Sequence, residues 1–404
     1  MAATNMTTFD DALKQYYTSE KVENLTYPDH PLLAMVGKNE KFKGKNMPIP
    51  LIYGNPQGRS STFATAQTNA TASKVVEFLL TRKKDYGVVT IGGEVLEASQ
   101  GNEYAFLSAA TTEINGILKS LGDSLSKSLY GDGGGALGRV HASGVAGENA
   151  TLATNSDIVN FEVGMRIKAA TTTGLSGSVR AGSGVGYAEI TAINRKTAVL
   201  TFGDLSIAAI ANDDYLFVEG DFGNKLTGLA GWVPSTDPLA AAFFGLDRTA
   251  DTNRLGGVRY DGSSQPIDEA IIDASVTVGR EGGKPDVCFI SYTDFGKLVK
   301  TLGAQVQRDV AQTGRWAFAG VEMYAPSGTI KVIPDKDCPV GRAFLLQMDT
   351  WKLYSIGGAP RILKHDGMEM LRQASADGVE LRAGYYAQLG CHAPGWNCNV
   401  TLPS

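Results

Sequence analysis

Residues 42–54, FKGKNMPIPLIYG, and residues 74–81, KVVEFLLT, read as the two strands of one long ribbon. Going out, Met47, Ile49, Leu51 and Tyr53 alternate with Pro48, Pro50 and Ile52. Coming back, Val76, Phe78 and Leu80 alternate with Val75, Glu77 and Leu79. Alternation of period two marks strands. Pro48 and Pro50 have no amide proton to give to a ladder, which makes the outgoing strand an edge strand. Between the strands, residues 54–74 are Ser, Thr, Ala, Asn, Gln and Gly with almost no apolar side chain. An isolated two-stranded hairpin is marginal in water. An arm taken as residues 42–92 is therefore expected to lie on a surface outside itself, and a neighbouring copy of the chain is the simplest one. That expectation points to an assembling structural protein.

The totals agree with a large soluble chain. At 404 residues, 43% of them hydrophobic, there is material for a large core and two domains. Charged residues are only 20%, which suits a surface partly hidden against partners. The net charge of −5 argues against gripping nucleic acid by neutralising phosphates, though not against enclosing it. Four cysteines, Cys288, Cys338, Cys391 and Cys398, are no disulfide framework in so long a chain. The first residues, MAATNMTTFDDALKQYY, show no basic and no apolar region of a signal peptide. The longest apolar run, 239–246, is far short of the ~18 residues of a membrane span. Folding in a cytoplasm is expected, and the Asn-x-Thr matches at Asn5, Asn24, Asn69, Asn149 and Asn399 then carry no glycan.

Along the chain, residues 8–25 read as a short amphipathic helix, with Thr8 and Asp11 as a capping box and Pro28 and Pro31 beyond its end. The strongest helical signal is 103–130. There Leu107, Ala110, Ile114, Ile117, Leu118, Leu121, Leu125 and Leu129 recur at three- and four-residue spacing, and Gly131-Asp-Gly-Gly-Gly stops the pattern. Over 140–222 helical periodicity disappears. Short β-type runs at 161–169, 186–194, 198–202 and 215–219, separated by Gly/Ser/Asn/Asp clusters, predict a small barrel or sandwich inserted into the main fold. A loop-rich stretch to about residue 265 leads to a helix over 267–278, a strand at 286–291 and a helix over 294–302 capped by Ser291 or Thr293. The last hundred residues are mostly β: 321–324, 329–334, 343–348, 351–356 and 379–391. The class is α+β with an all-β insertion.

This order of elements resembles the major capsid protein of tailed double-stranded DNA bacteriophages, the Hong Kong ninety-seven fold. Residues 328–342, GTIKVIPDKDCPVGR, with 344–354, FLLQMDTWKLY, look like that family's return between its two main domains. Asp366-Gly367, the closing strand 381–389, Pro31-Leu-Leu and the strand entry 44–50 look like it too. The match is architectural and covers nearly the whole chain outside 140–222. The resemblance implies an N-terminal arm (1–41), an E-loop (42–92) and a P-domain with a long spine helix (93–139 and 321–404). It also implies an inserted β-barrel-like domain (140–222) and a central α/β A-domain (223–320). It implies a homo-oligomer of pentamers and hexamers closing an icosahedral shell around double-stranded DNA, a virion component assembled in a host cytoplasm. A separate scaffolding protein, a portal and a decoration protein are the implied partners. With the helix at 8–25 so near the start, a separate scaffolding protein is expected in place of a built-in segment. Some members link subunits covalently through Lys and Asn. Lys74, Lys83 and Lys84 stand near the hairpin, but no Asn or catalytic Glu can be nominated, and such links are not expected. An encapsulin-like bacterial compartment protein shares the fold and is the nearest rival. An extracellular glycan-binding or hydrolytic protein, or a decoration or tail protein, stands further off.

No catalytic, cofactor or metal site is expected. Residues 131–138, GDGGGALG, follow a helix and lack the Lys of a phosphate loop, so they read as a hinge or connector. Gly182, Gly184 and Gly186 precede a strand and not a helix, which disfavours dinucleotide binding. Cys391-His392 with Cys398 and Cys338 lacks the paired spacing of a zinc site, so these read as buried thiols. His30, His141, His365 and His392 form no catalytic motif. Trp232, Trp316, Trp351 and Trp396 read as core or interface anchors. The assembly contacts expected on the arm are Arg59, Phe63, Lys74, Arg82, Lys83 and Lys84; Arg59 and the run Arg82-Lys83-Lys84 read either as a solvated face or, in an E-loop, as cations that pair with carboxylates of the next subunit.

Overall fold

The computed structural model describes residues 29–92, 103–183, 186–302, 320–364, 370–373 and 377–403. The helix expected at 8–25, Trp316, His365 and Asp366-Gly367 lie outside them. The chain divides into two compact units. One is built on Lys83–Gly231 and Gly358–Tyr386, the other on His30–Arg82, Trp232–Gly357 and Ala387–Ser404.

In the first unit the helix Glu103–Tyr130 runs for 28 residues, over the range its periodicity predicts. Ile114, Leu118, Leu121, Leu125 and Leu129 of its stripe are buried. Val89 and Ile91, alternating on the strand Lys83–Gly92, pack on Ile114, Leu118 and Leu121 together with Val379, Leu381 and Ala383. That strand pairs with the strand Gly378–Cys391. The chain therefore passes from the ribbon's return strand, ending at Thr81, directly into a second sheet.

Between Gly138 and Val218 six strands close into a barrel. Around the ring they run Tyr215–Val218, Gly138–Ala146, Asn149–Leu152, Val199–Phe202, Ala188–Asn194 and Arg166–Ala170. Closure leaves no sheet edge exposed. Three of these strands fall within the runs read from the sequence, and Arg166–Ala170 ends one residue past its run. The other two, Gly138–Ala146 and Asn149–Leu152, do not announce themselves, because small and polar residues dominate them and their pairing shifts register between Val140 and Val145. The interior is filled by Val140, Leu152, Phe161, Ile167, Ile190, Leu200, Phe202 and Leu216.

Asp157, in the 3-10 turn Asn155–Asn160 beside the barrel, is half-buried. Burial raises its carboxyl above the usual range, and the attraction of Lys127 offsets this only in part. The native state thus binds the proton more tightly than the unfolded chain. Stability is highest below the ordinary carboxylate pKa and declines as pH rises through the native one. Asp157→Asn is expected to flatten that decline and to be more stable than wild type at pH 7. Thermal midpoints across pH 4 to 7 check this, and an unchanged slope would show that Asp157 is not its source.

The second unit is organised by a six-stranded mixed sheet. Its order is Val258–Asp261, Cys398–Thr401, Arg342–Leu346, Val287–Ile290, Gly328–Pro334, Val321–Ala325. The helix Ile267–Arg280 lays Ile267, Ala270, Ile271, Ala274 and Val278 on it, the face its sequence predicts. The hydroxyl of Ser291 accepts from the Asp294 amide at 3.1 Å and caps the helix Tyr292–Leu302. The sequence reading divides this region at residue 320. The sheet runs across that line, with 321–346 and 398–401 on the same layer as 258–261 and 287–290. A second set of strands has Trp351–Ser355 between Gly37–Asn39, in parallel, and residues 387–391, antiparallel. The short helix Pro31–Met35 follows His30, whose Nδ1 lies 2.8 Å from the buried Asp337 carboxylate.

Candidate assembly site

The ribbon pairs Asn46–Gly54 with Lys74–Thr81, Asn46 opposite Thr81 and Ile52 opposite Val75, with an irregularity before Gly54. Nine residues of strand span roughly 26 Å. Its two faces differ as the alternation requires. Ile49, Phe78 and Leu80 are buried, while Pro48, Pro50, Ile52, Val75, Glu77 and Leu79 are exposed.

The base of the ribbon rests on the chain's own second unit. Phe78 meets the Trp232 ring edge-on at 5.0 Å between centroids and Phe243 at 6.2 Å. Trp232 in turn touches Phe243, Phe244 and Trp351 and donates its indole N–H to the Leu389 carbonyl at 3.0 Å. The Arg248 guanidinium lies 3.8 Å over the Phe243 ring and bonds the Trp232 carbonyl at 3.1 Å. The Leu79 amide donates to the Phe244 carbonyl at 2.9 Å, so an edge of the returning strand is met by backbone. Arg254 reaches the Tyr53 carbonyl at 2.7 Å. This is a correction to the sequence expectation for the proximal half, which does not depend on another surface. The aromatic residues that cover it, Trp232, Phe243 and Phe244, sit in the stretch read only as loop-rich. A Trp and a Phe-Phe pair inside a Pro- and Ala-rich loop were the available signal.

The distal half is different. From Asn55 to Val75 every residue but Ala66 is exposed. The tip holds a short helix, Phe63–Thr68, and is stitched by its own polar groups. The Gln57 amide donates to Thr71 Oγ1 at 2.9 Å, and Thr62 and Thr65 hydroxyls meet at 2.7 Å. Hydroxyl bonds fix the loop's shape without a core, so Phe63, 82% exposed, Ile52 and Val75 are left in water. A large aromatic ring this exposed on a polar loop offers an apolar surface to a partner.

The six sequence candidates separate accordingly. Arg59, Phe63 and Lys74 lie at the exposed tip. Arg82 is engaged at the base, bonding the Phe42 carbonyl at 3.2 Å with its guanidinium 4.9 Å from that ring's centre. Lys83 donates to the Gly223 carbonyl at 2.8 Å, and burial lowers its pKa. Lys84 is exposed and lies 5.8 Å over the Tyr86 ring. The structure therefore does not bring the six together.

The thiols read as core groups. Cys288, Cys338, Cys391 and Cys398 are all buried and in no disulfide, and burial pushes the Cys391 thiol up to about 12. Among the described residues no group of three or more His, Cys, Asp or Glu is placed to hold a metal ion. The run 131–138 is tightly packed: the Gly134 carbonyl accepts from the Gly223 amide at 2.8 Å.

No family model matches the sequence, and no curated protein matches it. Solved structures do. The chain is similar to the capsid asymmetric unit of cyanophage A-1(L), at 12% identity over 92% of each chain with a TM-score of 0.51. A capsid of a native GTA particle aligns at 9% identity over 92% of this chain and 90% of that one, with a TM-score of 0.46. The SrpI encapsulin complex of Synechococcus elongatus PCC 7942 aligns at 8% identity over 99% and 96%, with a TM-score of 0.44. At such identities the likeness is one of fold, and the fold is that of phage capsid proteins.

Proposed function

We propose that this chain, carrying a phage capsid-protein fold, is a coat protein whose copies build the icosahedral shell around the double-stranded DNA of a tailed phage. The observation that carries the reading is the ribbon. Its base is locked into the subunit's own aromatic core, while its far half holds Ile52, Phe63 and Val75 out in water. A rigidly mounted arm with an uncovered apolar tip suits reaching onto a neighbour. In this reading the ribbon is the E-loop, the long helix is the spine of the P-domain, the mixed sheet with its two helices belongs to the A-domain, and the barrel is an insertion.

Copies meeting head to tail form heterologous contacts that close into rings of five or six. Each contact is modest and the shell is held by their number. The low, negative charge lets the inner surface enclose DNA without clinging to it. A separate scaffolding protein, a portal and a decoration protein complete the particle, which is assembled in the host cytoplasm. No enzymatic role is part of this reading.

Deleting the loop between Gly54 and Lys74 tests it. The expected product is a folded subunit, with an unchanged circular dichroism spectrum, that no longer forms shells by negative-stain microscopy and sedimentation. Normal shells from the deletion would refute the arm's role. Expression beside the neighbouring genes separates the rival: packaged protein cargo in place of DNA would mean an encapsulin-like compartment.

A further inference from the structure

In the first unit, four segments each send polar side chains to one buried point. The strand Lys83–Gly92 contributes Asp85, the helix Glu103–Tyr130 contributes Ser124, the segment leaving the barrel contributes Asp221 and Lys225, and the strand Gly378–Cys391 contributes Tyr385. Lys225 Nζ lies 2.5 Å from Asp85 Oδ2, 3.1 Å from Asp221 Oδ2 and 2.8 Å from Ser124 Oγ. The side chains of Lys225, Asp85 and Asp221 keep only 9%, 16% and 17% of their exposure.

We propose that Lys225 and Asp85 condense into an intrachain isopeptide bond, with Asp221 carrying the proton. An amine this close to a carboxyl oxygen sits roughly 3–3.5 Å from the carboxyl carbon, the separation of a near-attack pair. Asp85 Oδ2 accepts from Ser124 Oγ at 2.8 Å and from the Tyr385 hydroxyl at 3.4 Å. Two hydroxyl donors thus face the oxygen on which negative charge grows when nitrogen adds. Asp85 Oδ1 accepts the Tyr86 amide at 3.1 Å, with no hydroxyl donor on it among the described residues, and is the oxygen that leaves.

The step balances without an added reagent. The Lys225 ammonium passes one proton to the Asp85 carboxylate, giving an amine and a carboxylic acid that carries the proton on Oδ1. The nitrogen lone pair forms the N–Cγ bond, and the carbonyl π pair moves onto Oδ2. Asp221 takes a proton from nitrogen and delivers it to Oδ1. The Cγ–Oδ1 bond breaks, water departs and the Oδ2 carbonyl re-forms. Ammonium and carboxylate become amide and water, nothing is oxidised or reduced, and Asp221 returns to its starting state. Burial holds the Asp221 carboxyl up at about 6, against the pull of Lys225, so near neutral pH it both accepts and releases a proton. The bond would join residues 140 apart in the chain, enclosing the long helix and the barrel in one covalent loop.

The test is the denatured intact mass of the full chain. Wild type is expected about 18 Da below its sequence mass, the loss of one water, and its digest is expected to contain one branched peptide carrying both Asp85 and Lys225. Lys225→Arg should run at its full sequence mass. Asp221→Asn keeps both bonding partners and should accumulate the lighter form at least about tenfold more slowly. Wild type at full sequence mass after prolonged incubation between pH 5 and 8 would leave an ion pair alone and overturn the proposal. A lighter species that persists in Lys225→Arg would overturn it too, by placing the water loss elsewhere.

Discussion

Trp232→Ala is expected to destabilise the second unit by about 3–5 kcal/mol, the range for emptying a fully buried indole site. Trp232 is fully buried and is the hub of the aromatic cluster, touching Phe78, Phe243, Phe244 and Trp351. Its removal leaves a cavity that these rings fill only in part, and it leaves the Leu389 carbonyl without its indole donor. Trp232→Phe separates the two effects. It keeps a ring against Phe78 and loses the hydrogen bond, so about 1–2 kcal/mol is expected. Urea denaturation of the unassembled subunit measures both. The alanine variant should also free the ribbon base, seen as faster amide exchange at Phe78 and Leu79. A loss below about 1 kcal/mol for Trp232→Ala would mean that the cluster does not anchor the ribbon.

Gly134→Ala should be as damaging for a different reason. A Cβ on Gly134 would lie 1.8 Å from the Thr173 carbonyl oxygen, which is backbone and has no rotamer to turn away. From the other side, a Cβ on Gly174 would lie 2.2 Å from the Gly134 carbonyl oxygen. Gly134 is itself held in place, its amide by Asp132 Oδ1 at 2.8 Å and its carbonyl by the Gly223 amide at 2.8 Å. A loss of more than about 3 kcal/mol is expected, as for other overpacked sites that must move main chain. Gly116→Ala is the control. Gly116 is exposed in the long helix and a Cβ there meets nothing within 4 Å. It should gain about 0.5–1 kcal/mol from helix propensity. Opposite signs for one substitution at two glycines would establish the run at 131–138 as a packed joint. A tolerated Gly134→Ala would restore the reading of a loose hinge.

Much of the architecture is written in period. The ribbon's alternation places Ile49, Phe78 and Leu80 on one face, and those three are the ones buried. The helices 103–130 and 267–280 carry their cores as stripes that a single sequence displays, because each stripe is a local repeat. The short strands are another matter. Cys398–Thr401 and Val258–Asp261 pair in parallel with each other, four residues apiece, and neither has the length to show a period. The first two barrel strands are small, polar and bulged. Their strand character comes from ring closure, a property of all six at once.

At the candidate site the same split appears. By itself the sequence determined that a long polar-tipped ribbon exists, that its two faces differ, and that its tip has no core of its own, since these follow from the order of side chains along two strands. Only the tertiary structure decided where the ribbon stops needing help. Trp232 and Phe243 come from 154 and 165 residues further along the chain to cover Phe78, and Arg82 and Lys83 are spent on carbonyls of their own units. Such contacts depend on which distant segments fold to the same place, and no local pattern of residues records that.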